Sequence, residues 1–203
     1  MTKIDVPSGH YLNFDGSTFD VLNPELADIS LAEIARSLSM VPRWMGKIHR
    51  FYSVAEHSMM VCQIAMTLAS RDGLSQREVF VNGLKGLLHD ATEAYLCDIP
   101  RPLKHIPEMA FYVKAEKRLH FRIFDAFGLT PELTEQVCVA DDIALGIEQR
   151  DLRPFGIAGI PDPADWRGDF GYDLTRKTTM YPGEAERGFA ATAVTLQSVL
   201  KPL

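Results

Sequence analysis

Apolar residues recur at helical spacing along most of this chain. Leu31, Ile34, Ala35 and Leu38 fall at i, i+3, i+4 and i+7, which predicts an amphipathic helix with Asp28 or Ser30 as its N-cap. Ser53 followed by Glu56 is a capping box that opens a second helix to about residue 70, and His57 shares its apolar stripe with Val61, Ile64, Ala65 and Leu68. Another capping box, Ser75 with Glu78, opens a helix carrying Val79, Gly83, Leu84, Leu87 and Leu88 before it reaches His89 and Asp90. Asp98-Ile99-Pro100-Arg101-Pro102 must end that run, because each proline removes a donor and restricts the residue before it.

Tyr112, Leu119, Ile123 and Phe127 mark a further helix closed by Gly128. Thr130-Pro131-Glu132 reads as N-cap, N1 and a dipole-favoured acid for the next, which runs through Leu133, Val137, Ala144 and Glu148 with Asp141 on the same stripe. A last helix covers 182–200. Ahead of all these, Asp15-Gly16 lies between short aromatic and β-branched segments, a hairpin signal. About six helices and a small N-terminal β-hairpin predict an all-α fold. The expected organisation is a single domain over 1–203, with a core at 28–151 and a Gly/Pro-rich surface loop at 154–180.

Composition narrows the function classes. The chain of 203 residues is 46% hydrophobic and 24% charged, long enough to bury a core and unlike a disordered chain. A net charge of −6 argues against holding nucleic acid through the overall field, so no stable nucleic-acid complex is expected. The three cysteines, Cys62, Cys97 and Cys138, are odd in number and lack a Cys-x-x-Cys, which points to reduced thiols and a cytoplasmic setting. No apolar leader or spanning window is present, so no membrane partner is expected.

The chemistry concentrates in "GLLHDATEAYLCDIPRPLK", residues 86–104, where adjacent ionisable groups end a buried-looking face. Three separate helices offer polar ligands from such faces: His57, then His89 with Asp90, then Asp141. Two imidazoles and two carboxylates suit manganese, iron, cobalt or zinc, with room left for water and a substrate oxygen. A single inward histidine is more often an ordinary hydrogen-bonded core residue, and the His-Asp dipeptide alone is weak. The joint spacing changes those odds. "VPRWMGKIHRFY" adds Arg43, Lys47 and Arg50 without an acid, an irregular segment with a local positive field.

The strings "AEHS", "HDATEAYLCDIPRPLK" and "VADDIAL" resemble the HD-domain phosphohydrolase superfamily, whose pattern is a His, a later His-Asp pair and a distant Asp on a helical bundle. The resemblance is closest to the nucleotide-cleaving branch that includes bacterial 5'-deoxynucleotidases and phage-encoded dATP triphosphohydrolases. It implies that His57, His89, Asp90 and Asp141 hold a divalent transition metal (Mn, Co, Zn or Fe), alone or together with Mg, and that Asp142 is the second choice for the last ligand. It implies that Glu93 is general acid or base and that Asp98 orients the substrate or its leaving group. Arg43-Trp44 resembles the Arg-Trp pair of the deoxynucleotidases, the Arg on phosphate and the Trp near the sugar. Arg43, Lys47, Arg50 and Lys104 are the phosphate-contact candidates, because phosphates need fixed cationic donors. The N-terminal strings "SGHYLNF" to "SLSMVPRW" resemble the phage-type proteins and tilt the expected reaction toward dATP, giving deoxyadenosine and tripolyphosphate. The alternatives are a 5'-deoxynucleotidase acting on deoxynucleoside monophosphates, and a nucleotide-binding module without turnover. By resemblance the chain would assemble as a homo-oligomer, a dimer or hexamer.

Overall fold

A computed structural model describes residues 5–156, 158, 170–175 and 180–200. The hairpin forms as expected, β1 (His10–Leu12) pairing antiparallel with β2 (Thr18–Asp20). Gly16 takes φ +90° in its turn, which a side chain would resist, and Asp15 Oδ1 accepts from the Ser17 backbone N–H and hydroxyl. The buried Glu33 carboxylate accepts the backbone N–H groups of Phe14 and Asp15, tying that turn to the first helix.

Helices follow the apolar periods: α1 (Leu31–Met40), α2 (Val54–Arg71), α3 (Gln76–Leu88), the short α4 (Glu93–Leu96) and α5 (Arg101–Lys104), α6 (Ala110–Ala126), α7 (Glu135–Leu152) and α8 (Pro182–Leu200). Both capping boxes are present in full, and Ser30 rather than Asp28 caps α1. This is the helical bundle with a small hairpin that the HD-type pattern implies. Helix α2 is its spine. One apolar cluster joins α1, α3, α6 and α8 to the hairpin through Phe19, Leu38, Leu87, Ile123 and Phe189, and another joins α2 to α7 through Val61, Ile64, Val137 and Ile147.

The α2–α3 crossing is set by Gly86, where a Cβ would stand 3.2 Å from both Cys62 Cα and the Val61 carbonyl oxygen. Only a residue without a side chain lets the two backbones approach so closely. That crossing brings His57 beside His89.

Three expectations need correction. The cap of α7 is Thr134, which accepts from Val137 N–H; Thr130 instead receives the buried Lys85 ammonium, and Leu133 lies outside the helix. The run through His89 is not one helix: α3 ends at Leu88, and i to i+3 bonds from Ala91 to Leu88 and from Glu93 to Asp90 tighten the chain there. Finally, Leu174 is 3% exposed and packs with Phe170 and Tyr172 on the α2–α7 core, so the end of the 154–180 stretch is not merely a surface loop. Residues 157, 159–169 and 176–179 of that expected loop lie outside the described residues. Among the described residues no helix is long and apolar enough to cross a membrane.

Candidate functional site

Four side chains from three parts of the bundle converge. His57 comes from α2, His89 and Asp90 from the tightened turn after α3, and Asp141 from α7. His57 Nε2 stands 3.3 Å from His89 Nε2, 3.2 Å from Asp141 Oδ1 and 3.6 Å from Asp90 Oδ2. His89 Nε2 is 3.2 Å from Asp90 Oδ2 and 3.7 Å from Asp141 Oδ1. Asp141 rather than its neighbour Asp142 reaches the imidazoles.

The opposite ring nitrogens fix the tautomers. His57 Nδ1–H donates to Glu148 Oε1 at 2.6 Å, and His89 Nδ1–H donates to the Gly86 carbonyl at 2.7 Å; a carbonyl can only accept. Each Nε2 therefore faces the other and two carboxylates, an arrangement that needs a shared positive charge, a proton or a metal ion, at its centre. Ligand atoms about 2.1 Å from one ion would stand roughly 3.0–3.4 Å apart, close to the observed spacings. His57, His89 and Asp90 also meet the general spacing of a metal-binding group. The donor set fits a divalent ion.

Electrostatics agree. Burial works against protonating His57 and His89, but the surrounding carboxylates outweigh it and raise both above the ordinary imidazole value. Asp90 and Asp141 are held well below the usual carboxylate range, against the cost of burial, by the two imidazoles. The pocket is thus organised around positive charge.

Beside these four side chains opens a cavity of about 420 Å³, lined by Asp90 and Asp141 together with Arg43, Trp44, Lys47, Glu93, Asp98 and Lys104. All the expected substrate and catalytic residues but one line it. Arg50 does not: it donates to the Leu174 carbonyl, lies over the Tyr52 ring and lines a different cavity with Glu56. The arch from Pro42 to Ser53 closes on itself through Arg43 N–H to the Tyr52 carbonyl, so residues at its start and end face different ways.

Within the arch, Trp44 and Met45 take φ of +57° and +52°, a left-handed conformation that costs a non-glycine residue about 1–2 kcal/mol. Cys97, at φ +62° and ψ 162°, holds a conformation otherwise nearly confined to glycine, and it delivers Asp98 to the cavity. Strained backbone thus flanks the pocket on two sides.

Glu93 is buried, and its Oε2 has no hydrogen-bond partner among the described residues. Burial first, then the Asp90 and Asp98 charges, raise its carboxyl well above the usual value, so it holds its proton readily. Asp98 is raised in the same way, burial again leading. Arg43 donates to Asp90 at 3.4 Å and to Glu148 at 3.1 Å, and Lys104 donates to Glu116 at 2.6 Å.

Sequence reasoning missed three residues here. Arg101, 68% exposed, lies 3.8 Å from Asp141 Oδ2, and Arg153 stacks on the Trp44 ring. Glu148, 0% exposed, accepts from His57, Arg43 and Trp44 Nε1–H. Its signal was its place seven residues after Asp141 on one helical stripe.

Known proteins share much of this sequence. The family described as 5'-deoxynucleotidase YfbR-like matches residues 30–127. The uncharacterized protein YfdR of Escherichia coli is 36% identical over 155 residues, 75% of this chain and 74% of the relative. An uncharacterized protein of Rhodobacter capsulatus is 32% identical over 165 residues, 75% of this chain and 81% of the relative. With the bundle and the His, His-Asp and Asp constellation in place, this chain belongs to the YfbR-like 5'-deoxynucleotidase family of HD-domain proteins and is a metal-dependent phosphohydrolase.

Proposed function

We propose that the chain hydrolyses deoxynucleoside 5'-monophosphates to deoxynucleoside and orthophosphate. The observation that carries this reading is a cavity lined by Asp90, Asp141, a buried, proton-holding Glu93 and the Arg43-Trp44 pair, with the potential metal-binding group of His57, His89 and Asp90 beside it. The family match favours a monophosphate over the dATP triphosphate to which the N-terminal strings tilt the sequence.

His57, His89, Asp90 and Asp141 would hold a divalent ion such as Mn, Co, Zn or Fe, which would supply Lewis acidity toward a water and a phosphoryl group. Arg43 meets the phosphate beside the metal donors, its guanidinium fixed by Asp90 and Glu148. Lys104, held at the rim by Glu116, adds a second positive contact. Glu93 delivers its proton to the ester oxygen that leaves, and Asp98 orients the sugar that carries it. Trp44 closes the sugar side as a flat apolar wall, and Leu145 and Ile99 leave the base an apolar seat.

The test is a product analysis of purified protein with Mn, Co, Zn or Mg against the four dNMPs, the NMPs and the dNTPs, with Asp90→Ala as control. Orthophosphate from dNMPs, absent in the control, supports the reading. Tripolyphosphate from dATP would move it to the triphosphohydrolase. Nucleotide binding without turnover would replace the enzyme reading by a binding module.

A further inference from the structure

Glu148 makes more hydrogen bonds than the hydrolytic reading uses. Its Oε1 accepts His57 Nδ1–H at 2.6 Å, while Oε2 accepts Trp44 Nε1–H at 2.9 Å and Arg43 Nη2–H at 3.1 Å. His57 turns its other nitrogen to the metal donors; Arg43 and Trp44 sit in the arch that forms the substrate wall. One fully buried carboxylate therefore joins the metal side of the cavity to the substrate side. The arch also has a reason to depend on that bond. Trp44 and Met45 hold left-handed backbone conformations, and the bonds to Glu148 oppose the strain.

We infer that Glu148 is a positioning residue that couples divalent-metal binding at His57 to the placement of the Arg43-Trp44 wall. The inference rests on the metal and substrate assignments proposed above. With a metal bound at Nε2, the His57 Nδ1–H would donate more strongly to Glu148, which would fix the carboxylate plane and with it the aim of Oε2. Coupling of this kind is reciprocal: a change on the tryptophan side must alter metal affinity by the factor with which metal alters the wall.

The chain has two tryptophans, Trp44 and Trp166, so Trp166→Phe leaves Trp44 as its sole indole emitter. Metal-stripped protein in that background would be titrated with Zn²⁺ by calorimetry and by emission, alone and with His57→Ala or Glu148→Gln. Zn²⁺ should bind in a His57-dependent manner and shift Trp44 emission. Glu148→Gln should weaken binding by about 10–100-fold and abolish the shift at saturating metal. Should that variant fail to fold, Trp44→Phe in the otherwise native chain decides: it removes only the indole donor to Glu148 and should lower Zn²⁺ affinity about 5-fold. Unchanged affinity in Trp44→Phe, or a Glu148→Gln protein that keeps both wild-type affinity and the emission shift, overturns the coupling and leaves the metal site standing. No His57-dependent binding in the parent protein overturns the coupling and the site assignment together.

Discussion

Glu93 faces the cavity with a buried oxygen that no described residue satisfies, beside two other carboxyl groups. Burial and those neighbours raise its pKa, so its acid form persists to higher pH than an ordinary glutamate and is lost only as pH rises through the raised value. The kcat of the wild type should accordingly fall on the alkaline side of that value. Glu93→Gln should lower kcat by about 10²–10⁴-fold and flatten that limb, while a metal titration stays close to wild type. Glu148 behaves in the opposite sense. Against the cost of burial, Arg43 and His57 hold its carboxyl below the usual value near 4.5. Its contribution to stability is therefore complete above the unfolded value and is lost as pH falls. In chelator, wild-type Tm should drop steeply below about pH 5, and the Tm of Glu148→Gln should vary less over the same range.

Residues also show where sequence reading stops. The convergence of His57, His89, Asp90 and Asp141 was legible because three elements each carried an ionisable group on an apolar stripe, and a stripe has a direction. Arg50 shares its segment with Arg43 and Lys47, but the arch reverses between them, and no periodicity reports the facing of an irregular loop. Glu148 lay in plain view on the stripe of Asp141, yet a lone acid there has no distinguishing partner until Arg43, Trp44 and His57 arrive from elsewhere in the chain.

At the scale of elements, the caps were the most legible feature, since each is a local exchange of hydrogen bonds written within four residues. The Ser53 and Ser75 boxes form as the sequence implies. The α7 cap was misplaced by four residues because Thr130 and Thr134 are equally suitable in isolation. The choice is made by Lys85, whose buried ammonium donates to Thr130 Oγ1 and to the Glu132 carbonyl. Gly86 carries the strongest element-level prediction. Gly86→Ala must push α3 from α2 by a few tenths of an ångström, and it should cost about 1–3 kcal/mol in a denaturant titration. Because His57 and His89 ride on opposite sides of that crossing, Zn²⁺ affinity should fall with it in the same protein. Equal affinity would mean the two imidazoles do not depend on that approach.

For the whole molecule, the all-α class followed from the number of 3.6-period stripes, but the division of apolar residues into two clusters on either side of α2 did not. It depends on which faces meet, and on Leu174 returning to the α2–α7 core from a Gly/Pro-rich stretch. The free thiols report on the same packing. Cys97 and Cys138 are exposed, whereas burial pushes the Cys62 thiol up to about 12. A thiol reagent should modify two cysteines of the native protein quickly and the third only on unfolding.

The central claim is that the convergent donors make this chain a hydrolase of deoxynucleoside monophosphates. Its most direct test is orthophosphate release from dAMP by metal-stripped protein, before and after Mn²⁺ or Co²⁺ is restored, for the wild type and for His57→Ala, His89→Ala, Asp90→Ala and Asp141→Ala. Release that needs metal and is lost in all four variants is the expected result. Release that survives chelation, or that persists in any of the four folded variants at the wild-type rate, would contradict it.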